Sequence, residues 1–154
     1  MTAQITLEIQ AEASGHVAAP RERVWPAVAD LARRPNITSF EPVAGVWPDE
    51  TARARVGMNK GTFEMTRTET VIRCVPEERL LVKVEAPEWG SMAWLDHRIE
   101  RDGDGCRLTI GAIAVASYLE GQGPASRDEY AAMTRQGLQD AVDEYRRRIE
   151  ADSI

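Results

Sequence analysis

Three ionisable side chains, Arg67, Glu69 and His97, are the residues of this sequence best suited to chemistry. An arginine can hold a carbonyl or carboxylate oxygen, a histidine can exchange protons near neutral pH, and a carboxylate can orient either one. The alternative is structural: Arg67 and Glu69 form a plain ion pair at a wet cavity mouth, and His97 is a satisfied interior group. The sequence shows no constellation of nucleophile, base and orienting group. We therefore expect a binding function rather than catalysis, and leave enzyme activity open.

The alternation of residue types places these three side chains on the inner face of a predicted sheet. One face of segment 62–75 carries Phe63, Met65, Arg67, Glu69 and Val71, and the other carries a Thr and Glu row typical of a solvated surface. In segment 91–101, the set Ala93, Leu95, His97 and Ile99 is free of formal charge, so we take it as the inward set. Because an unpaired buried charge is costly, the three polar residues must pair, reach water or meet a ligand.

Seven strands and two main helices are predicted to position these residues. Apolar residues alternate with polar ones from Ile5, and this first strand runs to about Ala18. Six more strands are predicted at 42–47, 52–58, 62–75, 79–86, 91–101 and 106–117. A first helix covers about 20–31, "RRPNITSF" adds an irregular turn or short helix, and a long helix follows the capping box of Ser126 and Glu129. We therefore expect a single α+β domain over residues 1–154, in the order β-α(-α)-β6-α, with one antiparallel sheet packed on the long helix.

Composition excludes several classes of function. The 154 residues carry a formal net charge of −6, which argues against nucleic-acid binding. Neither a membrane span nor a signal peptide is recognisable, so we expect a cytoplasmic protein. No CxxC motif or metal-ligand spacing is present, and we expect no metal and no cofactor. Cys74 and Cys106 are predicted to lie on strands with two other strands between them, too far apart for a disulfide.

The stretch Val17-Ala-Ala-Pro20-x-x-x-Val24-Trp25 and the later "VPEERLLVKV" resemble the helix-grip superfamily of START-like and SRPBCC proteins. This superfamily includes polyketide cyclases/dehydrases and lipid-transfer domains. The resemblance implies a strongly curved seven-stranded sheet wrapped around the C-terminal helix, with a cavity for a small apolar or aromatic metabolite. If the protein is an enzyme, it implies cyclisation or dehydration of a polyketide-like substrate. The alternative is a non-enzymatic interaction module resembling the helix-grip activators of a heat-shock ATPase.

Five residues are candidates for contact with such a ligand: Met65, Trp89, Leu95, Met133 and Gly137. Trp89, in the turn "APEWGS", is either a gate at the cavity rim, a cover for the core or a contact in a homodimer. Met133, Gly137 and Leu138 are expected to be mostly core. Glycine in a helix interior costs roughly 1 kcal/mol relative to alanine, so Gly137 indicates either close packing on the sheet or room for a ligand.

Overall fold

A single antiparallel sheet and one long helix make up most of the protein. The computed structural model describes residues 2–60 and 63–152. Its strands are β1 (Gln4–Val17), β2 (Ile37–Ala44), β3 (Arg53–Lys60), β4 (Phe63–Val75), β5 (Arg79–Ala86), β6 (Ser91–Asp102) and β7 (Gly105–Leu119). The helices are α1 (Arg21–Ala29) and α2 (Arg127–Ala151), and two short 3-10 helices cover Leu31–Arg33 and Pro87–Trp89.

The strand order is β1-β7-β6-β5-β4-β3-β2, with every pair antiparallel. Strands two to seven follow one another as a meander, and β1 pairs with β7 along its whole length. The curved sheet wraps around α2, which confirms the predicted α+β helix-grip fold. Cys74 on β4 and Cys106 on β7 are separated by β5 and β6, and both are free thiols, as expected.

The long helix α2 begins where the capping box predicted. The Ser126 Oγ accepts a hydrogen bond from the Glu129 backbone N–H at 3.1 Å, and the Glu129 carboxylate accepts one from the Ala125 N–H. The first bond satisfies a donor that the first helical turn leaves open, and the second ties the residue before the N-cap to the helix.

The fully buried residues of α2 all lie from Leu138 onwards, while Tyr130 and Ala131 near its start pack on the core with partly exposed side chains. Its buried residues are Leu138, Val142, Tyr145 and Ile149. At this end the helix lies close to β1, since a Cβ added at Gly15 would be 3.0 Å from the Val142 Cγ1. In the first half, Met133 is 58% exposed and Gly137 is also exposed. The expectation that these two residues are core is therefore wrong, because α2 rests on the sheet mainly through its C-terminal half.

Helix α1 closes one end of the sheet. Pro20 precedes it, Val24 and Val28 are buried, and Trp25 is partly buried against the core. The Arg23 Nη2 donates to the Ile149 carbonyl at 2.7 Å and so connects α1 with the end of α2. The helix is two residues shorter at its C-terminus than predicted, and Pro26 lies inside it.

Strand β2 differs most from its predicted position. It covers Ile37–Ala44 rather than 42–47, so most of "NITSF" is strand and not an irregular turn. The β-branched Ile37 and Thr38 favour this conformation. Pro42 is tolerated because β2 is an edge strand, where a ladder donor is dispensable. The chain leaves the strand at Gly45, whose φ of 68° suits glycine.

The described residues include no helix that is both long and apolar enough to cross a bilayer.

Candidate functional site

A cavity of about 480 Å³ lies between the concave face of the sheet and α2, and we call it the inner cavity. Volumes of this size are typical of small-molecule sites. Four alanines of its wall, Ala93 on β6 and Ala112, Ala114 and Ala116 on β7, leave the space open, because larger side chains there would reach towards the helix. This arrangement agrees with the inward faces predicted for both strands.

At one end of the inner cavity, three charged side chains form a buried cluster that we call the triad: Arg34, Arg67 and Glu69. The Arg34 Nη1 donates to both Glu69 oxygens, at 2.5 Å to Oε2, and the Arg67 Nε donates to the same Oε2 at 2.9 Å. The Glu69 side chain is 0% exposed, that of Arg34 6% and that of Arg67 11%. Arg34 and Arg67 line the cavity, whereas Glu69 lies behind them.

Glu69 is held as an anion by its two partners. Burial alone would raise the pKa of this carboxyl, but Arg34 and Arg67 outweigh burial and lower the pKa to about 2. The Arg67–Glu69 pairing considered from the sequence is therefore present, but it lies deep in the fold and not at a wet mouth.

Arg34 is the site residue that sequence reasoning missed. It follows the 3-10 helix Leu31–Arg33 and precedes Pro35, a stretch with no strand or helix period to assign it an inward direction. The signal available in the sequence was indirect: a glutamate predicted to be inward needs more than one donor to offset its burial.

An aromatic ring and a phenol complete the surroundings of Arg34. The Trp47 ring centroid is 6.0 Å from the Arg34 Cζ, and the Trp47 Nε1 donates to the Ala29 carbonyl at 2.9 Å. The Tyr145 hydroxyl lies near the Arg34 guanidinium. Three buried polar groups here, the Tyr145 hydroxyl and the Arg34 Nε and Nη2, form no hydrogen bond of acceptable geometry. Burial raises the pKa of Tyr145, so its hydroxyl stays protonated.

His97 is buried in the wall of the inner cavity, on β6 opposite Leu80 of β5. Its Nδ1 lies 3.1 Å from the Leu80 carbonyl oxygen. A carbonyl can only accept, so Nδ1 carries the proton and Nε2 is the acceptor. Burial and then the positive charge of Arg34 lower the pKa of His97 to about 4. The imidazole is therefore neutral at neutral pH, which does not favour proton exchange there.

The other predicted ligand contacts fall at different places. Met65 and Leu95 line the inner cavity, and Met133 and Gly137 lie at its mouth on α2. A Cβ added at Gly137 would have no atom within 4 Å, so the missing side chain leaves open space and does not serve close packing. Trp89, which is 50% exposed on the helix Pro87–Trp89, is not part of the cavity wall.

A wider groove of about 910 Å³ crosses the outer face of β1, β5, β6 and β7. Four of its charged side chains are paired with one another: Arg79 with Asp96 at 2.9 Å, and Arg98 with Glu12 at 2.8 Å. Paired, half-exposed charges have little left to offer a ligand. The inner cavity, with two buried arginines facing an apolar wall, is the better candidate site.

Solved structures of low sequence identity share this fold. Ara h 8.0201 is 13% identical with a TM-score of 0.63, over 90% of this chain and 97% of that one. A Thermus thermophilus protein is 18% identical with a TM-score of 0.66, over 95% of this chain and 100% of that one. The di-domain ARO/CYC StfQ from the steffimycin biosynthetic pathway is 13% identical with a TM-score of 0.71, over 93% of this chain and 49% of that one.

No curated protein matches this sequence. A family model does match it, over residues 8–150, which cover both helices nearly completely and all seven strands from the middle of β1 onwards. The matched stretch includes the triad, His97 and the part of α2 that borders the cavity mouth. The chain therefore belongs to the polyketide cyclase / dehydrase and lipid transport family.

Proposed function

We propose that this protein binds a small apolar or aromatic metabolite in the inner cavity, in the manner of a polyketide cyclase/dehydrase. The observation that carries the proposal is the cavity itself. It has a volume of about 480 Å³, mostly small and apolar side chains along its length, a mouth beside Gly137 and, among the described lining residues, charged side chains only at the triad. Pockets of this composition bury most of a flat apolar ligand and orient it with a few polar contacts.

In this proposal the polar and apolar parts of the ligand meet different residues. Arg67 donates to an oxygen of the ligand, and the His97 Nε2 accepts from a hydroxyl. Glu69 is a positioning residue, because it holds both guanidinium groups in place from behind. Met65 and Leu95 contact the apolar body of the ligand.

The mouth residues act on access. Met133 and Gly137 flank the path of the ligand, and Trp89 acts as a gate from the neighbouring rim of the sheet. If the ligand is turned over, the reaction is a cyclisation or dehydration in which Arg67 polarises a carbonyl and His97 orients a hydroxyl. StfQ, described as an ARO/CYC of a biosynthetic pathway, is the relative that motivates this reaction class.

The test is binding of the neutral fluorophore N-phenyl-1-naphthylamine, with a variant that blocks the mouth. Gly137→Leu places an apolar side chain in the open space beside the cavity. Ala132→Leu is the matched control, because Ala132 is exposed on the same helix and is not part of the cavity wall. We expect saturable fluorescence enhancement with the unmodified protein and with Ala132→Leu, and affinity at least about tenfold weaker with Gly137→Leu.

Two results would contradict the proposal. One is the absence of saturable binding by the unmodified protein. The other is equal affinity of the Gly137→Leu and Ala132→Leu variants, which would place the fluorophore outside the inner cavity. Either result would favour the alternative, an interaction module that uses the outer face of the sheet, where Trp94 and Ile113 are cross-strand neighbours.

A further inference from the structure

We propose that the natural ligand of the inner cavity carries an anionic oxygen, as a carboxylate or an acidic enol or phenol, and that this oxygen binds at the triad. The inference rests on the proposed function, since it specifies the chemical class of the ligand for the same cavity.

The polar end of the cavity wall is positively charged. Among the described residues that line the cavity, Arg34 and Arg67 are charged and none is acidic. Glu69, behind them, compensates one of the two positive charges. His97 and Tyr145 add no charge, because both stay neutral at neutral pH. The polar end of the cavity therefore has a net charge of one positive unit.

Arg67 has a hydrogen-bond donor that its contacts with Glu69 do not use. Arg67 directs its Nε and Nη2 to the Glu69 Oε2, each at 2.9 Å. Its Nη1 has no hydrogen-bond partner among the described residues, although the side chain is 11% exposed and lines the cavity. A guanidinium with one side on an internal carboxylate and a free nitrogen towards a cavity is prepared for a second acceptor.

The net positive charge at the triad is energetically costly when no ligand is bound. A net charge beside apolar walls such as Leu95 and Ile110 is unfavourable unless a counter-charge or water meets it. An anionic oxygen meets it with a charge-assisted hydrogen bond, and the low local dielectric strengthens their attraction. The apolar wall then contacts the remainder of the molecule, so the ligand is an aromatic or aliphatic acid.

The experiment compares two compounds of nearly identical shape, 2-naphthoate and 2-naphthamide, by titration calorimetry at pH 7 and fixed ionic strength. The first is an anion and the second is neutral. We expect 2-naphthoate to bind at least about tenfold more tightly, since hydrogen bonds to charged groups contribute more than neutral ones. Equal affinities, or tighter binding of 2-naphthamide, would overturn the inference.

A variant of Arg67 tests whether the triad causes the preference for 2-naphthoate over 2-naphthamide. Arg67→Met leaves the Arg34–Glu69 pair and removes the net charge of the triad, so 2-naphthoate should lose much more affinity than 2-naphthamide, and the two compounds should then bind within about twofold of each other. Arg55→Met is the control, because it removes one positive charge from an exposed position of β3. A preference that persists in Arg67→Met would place the anion elsewhere and overturn the inference. If Arg67→Met fails to fold, the ratio of the affinities for 2-naphthoate and 2-naphthamide in the unmodified protein decides whether the inference holds.

The outcomes separate this inference from the proposed function. If N-phenyl-1-naphthylamine binds in the inner cavity but 2-naphthoate does not bind, or has no preference, the ligand class is wrong and the binding function stands. If none of the three compounds binds, the proposed function itself fails, and the inference fails with it.

Discussion

Replacing Gly137 by alanine tests whether α2 stands away from the sheet at this position. Gly137 lies in the interior of the 25-residue helix α2, where alanine is favoured over glycine by about 1 kcal/mol. The added Cβ would meet no atom within 4 Å, so no packing strain opposes this gain. We expect Gly137→Ala to raise the free energy of unfolding by about 1 kcal/mol and the melting temperature by about 2–4 °C. Urea titration and calorimetry measure the two quantities.

The control is Gly105, where the structure predicts that alanine lowers the free energy of unfolding instead of raising it. A Cβ at Gly105 would lie 2.3 Å from the backbone oxygen of Val17, and a backbone cannot move aside as a side chain does. Gly105→Ala should therefore destabilise the fold while Gly137→Ala stabilises it. If Gly137→Ala also lowered stability, the helix would be packed closely at this point, and the argument that Gly137 opens the cavity mouth would be refuted.

Three further predictions concern the polar end of the cavity. Glu69→Gln, which leaves two buried guanidinium groups without a carboxylate, should lower the free energy of unfolding by about 3–5 kcal/mol in urea titrations. Glu41→Gln, which affects an exposed ion pair, should change it by less than about 0.5 kcal/mol. The pKa of His97 falls from 6.5 to about 4 in the fold, so between these pH values the unfolded chain binds a proton that the folded protein does not. Stability should fall as the pH drops through this window, and His97→Gln should reduce the slope; an unchanged slope would show that His97 is not the group responsible. Tyr145→Phe removes a buried hydroxyl without a well-formed hydrogen bond, so stability should stay the same or rise, and a loss above about 1 kcal/mol in the same titration would count against this geometry.

Strand periodicity was sufficient to predict the inner face of the sheet. Alternation placed Glu69 and His97 inward, and both are buried. This succeeds because one face of a strand must pack on the core, so a polar residue in phase with apolar neighbours has a fixed direction.

The contribution of Arg34 was not predictable in this way. A residue between a 3-10 helix and a proline has no repeating direction, and its burial depends on a partner 35 positions along the chain. Contacts between segments so distant in sequence follow from the closed fold and leave no local pattern.

The helical pattern of α2 predicted which residues share a face of the helix, but not what each part of that face packs against. The prediction placed Met133 and Leu138 on one face, but residues five positions apart point about 140° apart around a helix, and Met133 is exposed while Leu138 is buried. The distance from the helix to its neighbours also differs along α2: a Cβ added at Gly137 would meet no atom within 4 Å, whereas the Val142 Cγ1 would lie 3.0 Å from a Cβ added at Gly15. A helical period carries no information about this distance.

The attachment of α2 through its second half has a consequence for the kinetics of binding. The first half of the helix borders the mouth, and its side chains before Leu138 are exposed or only partly buried. In the proposed function, the mouth sets how fast a ligand enters, and the triad, held from β4 and from the segment after α1, sets how long it stays. Changes at Gly137 should act mainly on the association rate, and changes at Arg67 mainly on the dissociation rate.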